Sequence, residues 1–123
     1  MPKTEKKKIL VAEDERPLAM AMQLKLSKEG FEVVNAYDGD EALAQIAKDK
    51  FDLLVLDLVM PKKDGFSVLE ELKKQGKAMK IIVLSNLSQD EDIARAKSLG
   101  ADDFFIKSNT PISDLVSHVK KLI

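Results

Sequence analysis

Glu13, Asp14, Asp57, Ser85 and Lys107 are far apart in the sequence, yet each stands where a short apolar run stops. Lys8-Ile9-Leu10-Val11-Ala12 runs into Glu13-Asp14-Glu15, and Phe51-Asp52-Leu53-Leu54-Val55-Leu56 runs into Asp57. Lys80-Ile81-Ile82-Val83-Leu84 meets Ser85, and Asp103-Phe104-Phe105-Ile106 meets Lys107. Clustered carboxylates repel and raise one another's pKa unless a cation lies among them. Oxygen ligands of this kind suit a hard octahedral cation, Mg²⁺ or Mn²⁺ in its place. The Lys107 ammonium can neutralise one further negative charge, and Ser85 offers a hydroxyl to an oxyanion. A phosphoryl group fits such a set. The Asp57 carboxylate can attack phosphorus to form an acyl phosphate, while a metal and Lys107 screen the transferring oxygens. In-line attack asks little else of a protein.

What could gather these residues is a parallel sheet, in which all strands end on one edge. The run before Asp57 is apolar on both faces, as a central parallel strand must be, and Met60-Pro61 ends it. Its position places Asp57 where open α/β sheets bind ligands. The Lys8–Ala12 run is a second strand, and Glu32-Val33-Val34-Asn35-Ala36 a short edge strand. Between them Pro17 suits a first helical turn, Leu18, Met22 and Leu26 share one face, and Gly30 stops the helix. Asp38-Gly39 is a turn, after which Asp40 is placed to cap a helix burying Ala42, Leu43, Ile46 and Ala47. Lys62-Lys63-Asp64-Gly65 is a loop, and a third helix buries Phe66, Leu69 and Leu72 before fading at Gly76. Ser88 to Asp92 should cap a helix running through Leu99 to Gly100. Pro111 opens a last helix with Ile112, Leu115, Val116, Val119 and Leu122 on its inner face. Strands and helices alternate, five of each, which predicts an α/β fold with helices on both faces of a parallel sheet.

At 123 residues the chain is long enough for one domain with its own core. A net charge of −1 gives no long-range field favouring nucleic acid or an anionic membrane. The one basic run, Lys3 to Lys8 with Glu5 inside it, reads as a solvated tail over residues 1–7. The absence of cysteine excludes disulfides and thiolate metal sites. No apolar stretch approaches the roughly 20 residues that span a bilayer. The charged N-terminus does not read as a signal peptide, so the expected location is the cytoplasm.

The ordered set of Glu13-Asp14, Leu56-Asp57-Leu58-Val59-Met60-Pro61 with Asp64-Gly65, Ser85, Gly100-Ala101-Asp102-Asp103-Phe104 and Lys107 resembles the receiver domain of two-component response regulators. The resemblance covers residues 8–123. It implies a doubly wound, flavodoxin-like five-stranded sheet in the order 2-1-3-4-5. It implies that Glu13, Asp14 and Asp57 hold Mg²⁺ together with the backbone carbonyl of Val59. Asp57 is then the phosphoacceptor, served by a histidine kinase or a histidine phosphotransfer protein. Ser85 and Lys107 bond the phosphoryl group, and Phe104 turns inward as Ser85 moves. The face built from the fourth helix, fifth strand and fifth helix would then change its binding to a downstream protein. The chain would be a monomer or a weak phosphorylation-dependent dimer, with no nucleic acid or membrane partner of its own. It would catalyse nothing beyond its own phosphorylation and dephosphorylation. With nothing after Ile123, it reads as a stand-alone receiver or as one taken from a longer protein.

Four positions bear on rate and lifetime in such a receiver. Asn86 stands where the family usually has a very small residue, and predicts slower exchange with small phosphodonors. Ser108 stands where a proline usually follows the lysine, which leaves that loop without the proline's rigidity. Val59 and Leu87, two residues after Asp57 and Ser85, are apolar where polar groups can orient the attacking water, and predict a long-lived phosphoryl group.

Three other readings compete. A phosphatase with an Asp nucleophile needs a second acid two residues on for proton transfer, where this chain has Val59. A flavodoxin-like cofactor carrier needs a hydroxyl- and glycine-rich first loop, which Glu13-Asp14-Glu15 is not. An adaptor of receiver type that is never phosphorylated has no need of the complete acid, hydroxyl and lysine set. Elsewhere His118 reads as solvated on the polar side of the last helix, Tyr37 as a partly exposed loop residue, and Met20, Met22, Met60 and Met79 as packing or loop residues.

Overall fold

The computed structural model describes residues 6–76 and 78–123. Five strands, β1 (Lys8–Ala12), β2 (Glu32–Ala36), β3 (Leu53–Leu56), β4 (Lys80–Ser85) and β5 (Asp103–Ile106), form one parallel sheet in the order β2-β1-β3-β4-β5. Helices α1 (Arg16–Lys28), α2 (Gly39–Lys48), α3 (Gly65–Gln75), α4 (Asp90–Ser98) and α5 (Ile112–Leu122) connect them. The expected fold and strand order are those observed. Of the expected tail, residues 1–5 lie outside the described residues, and Lys6 and Lys7 are exposed.

The two faces of the sheet carry separate cores. Alternation along a strand sends Ile9 and Val11 to one face and Leu10 and Ala12 to the other. Met22, Leu26, Leu115, Val116 and Val119 of α1 and α5 cover the first face. Ala42, Ile46, Phe66, Leu69, Leu72 and Ala96 of α2, α3 and α4 cover the second. All four residues of β3 are buried, which is why that run carries no alternation.

The local structure corrects five expectations. Asp38, not Asp40, caps α2: its Oδ1 accepts from the Glu41 N–H at 2.8 Å, and Glu41 Oε1 accepts from the Tyr37 N–H at 2.9 Å. This Asp-x-x-Glu exchange satisfies two donors, whereas Asp40 lies one residue inside the helix. Ala47 is exposed, because the buried stripe of α2 ends at Ile46. No side chain caps α4; Gln89 holds the N-cap position without a hydrogen bond, and the first turn relies on Asp90, Glu91 and Asp92 against the helix dipole. His118 is not solvated. Its Nε2 lies 2.7 Å from Asp103 Oδ2, and its ring stands edge-on to Phe105 at 4.9 Å. Met22 and Met60 are buried and Met79 is half-buried, in keeping with packing or loop roles, whereas Met20 is exposed on α1 and does neither. Tyr37 is half-buried under the Arg16 guanidinium, 3.9 Å from the ring centroid.

Candidate functional site

The strand ends meet at one rim. Asp57 N–H donates to the Ala12 carbonyl and Glu13 N–H to the Ala36 carbonyl, each at 3.0 Å, so ladder hydrogen bonds set the two acids side by side. Asp57 Oδ1 accepts from the Val59 N–H at 3.1 Å, which fixes the carboxylate plane. The loop after it closes tightly. Gly65 N–H donates to the Leu58 carbonyl at 3.0 Å, and α3 begins there with Asp64 accepting from the Ser67 N–H. Glycine is required by space at this point: a Cβ on Gly65 would lie 2.5 Å from the Asp57 carbonyl oxygen. A Cβ on Gly39 would meet the Lys63 carbonyl oxygen at 2.0 Å, so the start of α2 presses on the same loop. Lys62, at φ 66°, is the loop's one left-handed residue outside glycine among the described residues, and its ammonium reaches Asp38 at 3.7 Å.

Lys107 closes the site from β5. Its Nζ lies 2.9 Å from Glu13, 3.0 Å from Asp57 and 3.1 Å from Glu15. Burial opposes its charge, but the hydrogen bonds to Glu13 and Asp57 outweigh that and hold its pKa above the ordinary lysine value. Glu13 behaves differently. Burial, with the Asp57 charge adding to it, lifts its pKa from 4.5 to about 7, although Glu15 N–H and Lys107 both donate to it. A buried acid shifted this far beside specific charge partners at a cleft is a functional-site candidate.

Glu13, Asp14 and Asp57 each offer an oxygen, all within 4.8 Å of one another. Two are buried and Asp14 is exposed to solvent, an arrangement that fits a hard divalent cation keeping some of its waters. Beside them opens a pocket of about 310 Å³ lined by Asp14, Glu15, Asp57, Val59, Asn86 and Lys107. The sequence-derived residues are therefore together, with one reservation for Ser85. That side chain is wholly buried, its Oγ accepts from the Leu87 N–H at 3.4 Å, and it does not line the pocket. Leu87 is half-buried against the core under α3 and α4, and Phe104 packs on the same side. Glu15 is the site residue missed from sequence. The chain bends at Asp14, Glu13 accepting from Glu15 N–H at 3.0 Å, and Glu13 and Glu15 both reach Lys107 while Asp14 is exposed; the run of three acids carried that signal.

Known proteins share this architecture. The family profile described as "Response regulator receiver domain" matches residues 9–120. The chain is 38% identical over 119 residues to the probable transcriptional regulator ycf27 of Porphyridium aerugineum, covering 97% of this chain and 49% of that protein. It thus spans about half the length of the curated relatives it matches. Among solved structures, the receiver domain of the Francisella response regulator 1452 superposes with a TM-score of 0.89 at 34% identity, covering 94% of this chain and 95% of that one. The response regulator TrrA of Thermotoga maritima, in complex with Mg²⁺ and BeF, superposes with a TM-score of 0.83 at 34% identity, covering 95% and 99%.

Proposed function

The chain belongs to the response regulator receiver family of two-component signalling, and from that premise we propose that Asp57 accepts a phosphoryl group in a Mg²⁺-dependent transfer from a histidine kinase or a histidine phosphotransfer protein. One observation carries the reading: Lys107 Nζ stands 3.0 Å from Asp57 within a group of carboxylates that fit a divalent cation. Glu13, Asp14 and Asp57 would hold that ion, with the Val59 carbonyl as a further oxygen. Bound there, it screens charge on the phosphoryl oxygens. That the Thermotoga relative is in complex with Mg²⁺ and BeF supports a divalent cation at this rim.

The residues of the chain divide the remaining work. With Oδ1 tied to the Val59 N–H and Oδ2 to Lys107, the Asp57 carboxylate is held in one orientation before attack. One carboxylate oxygen forms the bond to phosphorus as the phosphorus–nitrogen bond of the donor histidine breaks, and the departing imidazole leaves with that electron pair. Lys107, bonded to Asp57 Oδ2, would screen charge on the phosphoryl oxygens by turning its ammonium from that carboxylate. Ser85 Oγ accepts from Leu87 N–H, so its own O–H remains available to a phosphoryl oxygen, which the buried side chain would reach by moving toward the pocket. That movement would loosen the loop after β4 and, through Phe104, bias the face formed by α4, β5 and α5 toward a second packing that a downstream protein reads. Val59 and Leu87 present no polar group to the attacking water, so the acyl phosphate lasts.

Intact-mass spectrometry after incubation with Mg²⁺ and phosphoramidate tests the reading. The parent should gain one phosphoryl mass and Asp57→Asn none. A parent that stays unmodified with small donors and with a promiscuous histidine kinase would instead be an adaptor of receiver type.

A further inference from the structure

The two departures at the rim, Asn86 and Ser108, touch each other. Strands β4 and β5 pair in parallel register with Ser85 opposite Ile106, and that rung is the last. Beyond it Lys107 enters a 3₁₀ turn over Lys107–Asn109, whose first N–H groups have no acceptor inside the turn. Ser108 N–H is one of them, and Asn86 Oδ1 accepts it at 3.0 Å across 22 residues of sequence. Thr110 secures the far side, its hydroxyl donating to the Ile106 carbonyl at 2.9 Å. A proline at position 108 would have no N–H to give, so the asparagine and the missing proline form one arrangement.

Lys107 sits in the middle of it. Four rotatable bonds separate its ammonium from its backbone, and a loose loop would spread that ammonium over several ångströms. The β4–β5 ladder fixes the chain on one side of Lys107, and Asn86 fixes it on the other. We propose that the Asn86–Ser108 hydrogen bond is a clasp between the loops after β4 and β5 that aims Lys107 at Asp57, which makes Asn86 a positioning residue for phosphoryl transfer. This rests on the reading of Asp57 as phosphoacceptor. Because Asn86 lines the pocket, a competing effect has the opposite sign: if its side chain mainly crowds the entrance, removing it speeds transfer, whereas loss of the clasp slows it.

The test joins amide exchange at Ser108, read by solvent-exchange NMR, to phosphorylation rates with phosphoramidate and Mg²⁺. In Asn86→Ala, Ser108 exchange should rise about 3- to 10-fold, the value of one modest hydrogen bond, and the saturating phosphorylation rate should fall by about 3-fold or more. Asn86→Asp keeps the acceptor and should keep Ser108 protected. Ser108→Pro removes the same bond while its ring stiffens the loop, so adding Asn86→Ala to it should cost nothing further. The Asn86 pair decides the matter even if the proline variant misfolds. Unchanged Ser108 exchange in Asn86→Ala overturns the clasp; faster exchange with an equal or higher phosphorylation rate overturns the positioning role. A parent that takes no phosphoryl group overturns the reading of Asp57 and the positioning role with it, and the exchange data still decide the clasp.

Discussion

Lys107 neutralises two buried acids, and replacing it with methionine, which keeps most of its length, isolates that charge. The contact with Glu15 contributes little, since the Glu15 side chain is 56% exposed and an exposed pair is worth about 0–1 kcal/mol. Glu13 and Asp57 are 2% and 5% exposed, so removing their common cation leaves two buried carboxylates facing each other, a loss of about 3–5 kcal/mol. Glu13 softens the loss. Its pKa is already about 7 with the ammonium present, and without it the group keeps its proton at neutral pH, which favours the lower end, about 3 kcal/mol. At this chain length that is a fall in Tm of roughly 12 °C, taking about 4 °C per kcal/mol. Magnesium should reverse most of it, because a cation among the same oxygens supplies the missing charge and binds only the folded chain. Urea unfolding followed by circular dichroism, in EDTA and again at saturating Mg²⁺, reads both effects. Equal losses in the two conditions would refute the reasoning, as would a loss below about 0.5 kcal/mol in EDTA, half the top of the range for an exposed pair.

Two further variants probe the loops beside Asp57. Gly65→Ala adds a methyl group 2.5 Å from the Asp57 carbonyl oxygen and 2.6 Å from Leu58 Cα. It should cost about 1–3 kcal/mol in thermal or urea unfolding and slow phosphorylation; a gain in Tm, the usual result of Gly→Ala in an uncrowded helix, would show that α3 does not press on the loop. Val59→Asn combined with Leu87→Gln offers the attacking water a polar partner at each position. Phosphoryl loss followed by mass spectrometry after donor removal should quicken about 5-fold for each hydrogen bond gained, and an unchanged lifetime would count against apolar shielding.

Glu13, Asp57, Ser85 and Lys107 could be read from sequence because each ends an apolar run, and a parallel sheet brings all such ends to one rim. That inference needs only chain direction. Contacts between side chains need the register and the crossing of elements as well, and there the sequence was silent or misleading. His118, half-buried beside the inner face of α5, joins Asp103 and stands against Phe105 of β5, a pairing that spacing within α5 does not reveal. Asn86 and Ser108 were each conspicuous as departures, but their bond depends on Ser85 standing opposite Ile106. The α2 cap was legible in Asp38-x-x-Glu41, a signal stronger than the nearer Asp40.

The charges at the rim also bear on why such a site would require a cation. Three carboxylates, Glu13, Glu15 and Asp57, pair with the Lys107 ammonium, and Asp14 adds a fourth within 4.8 Å of Glu13 and Asp57. One proton shared by Glu13 and solvent near neutral pH relieves part of the excess. A phosphoryl group on Asp57 would replace the single charge of the carboxylate with close to two on the acyl phosphate, a net gain of about one, in a place where two of the four acids are buried. Lys107 has no second charge to give, and Ser85 can contribute only a neutral hydroxyl. Without a divalent ion the modified state would be disfavoured by repulsion alone, and the oxygens of Glu13, Asp14 and Asp57 are the group the chain provides to hold one.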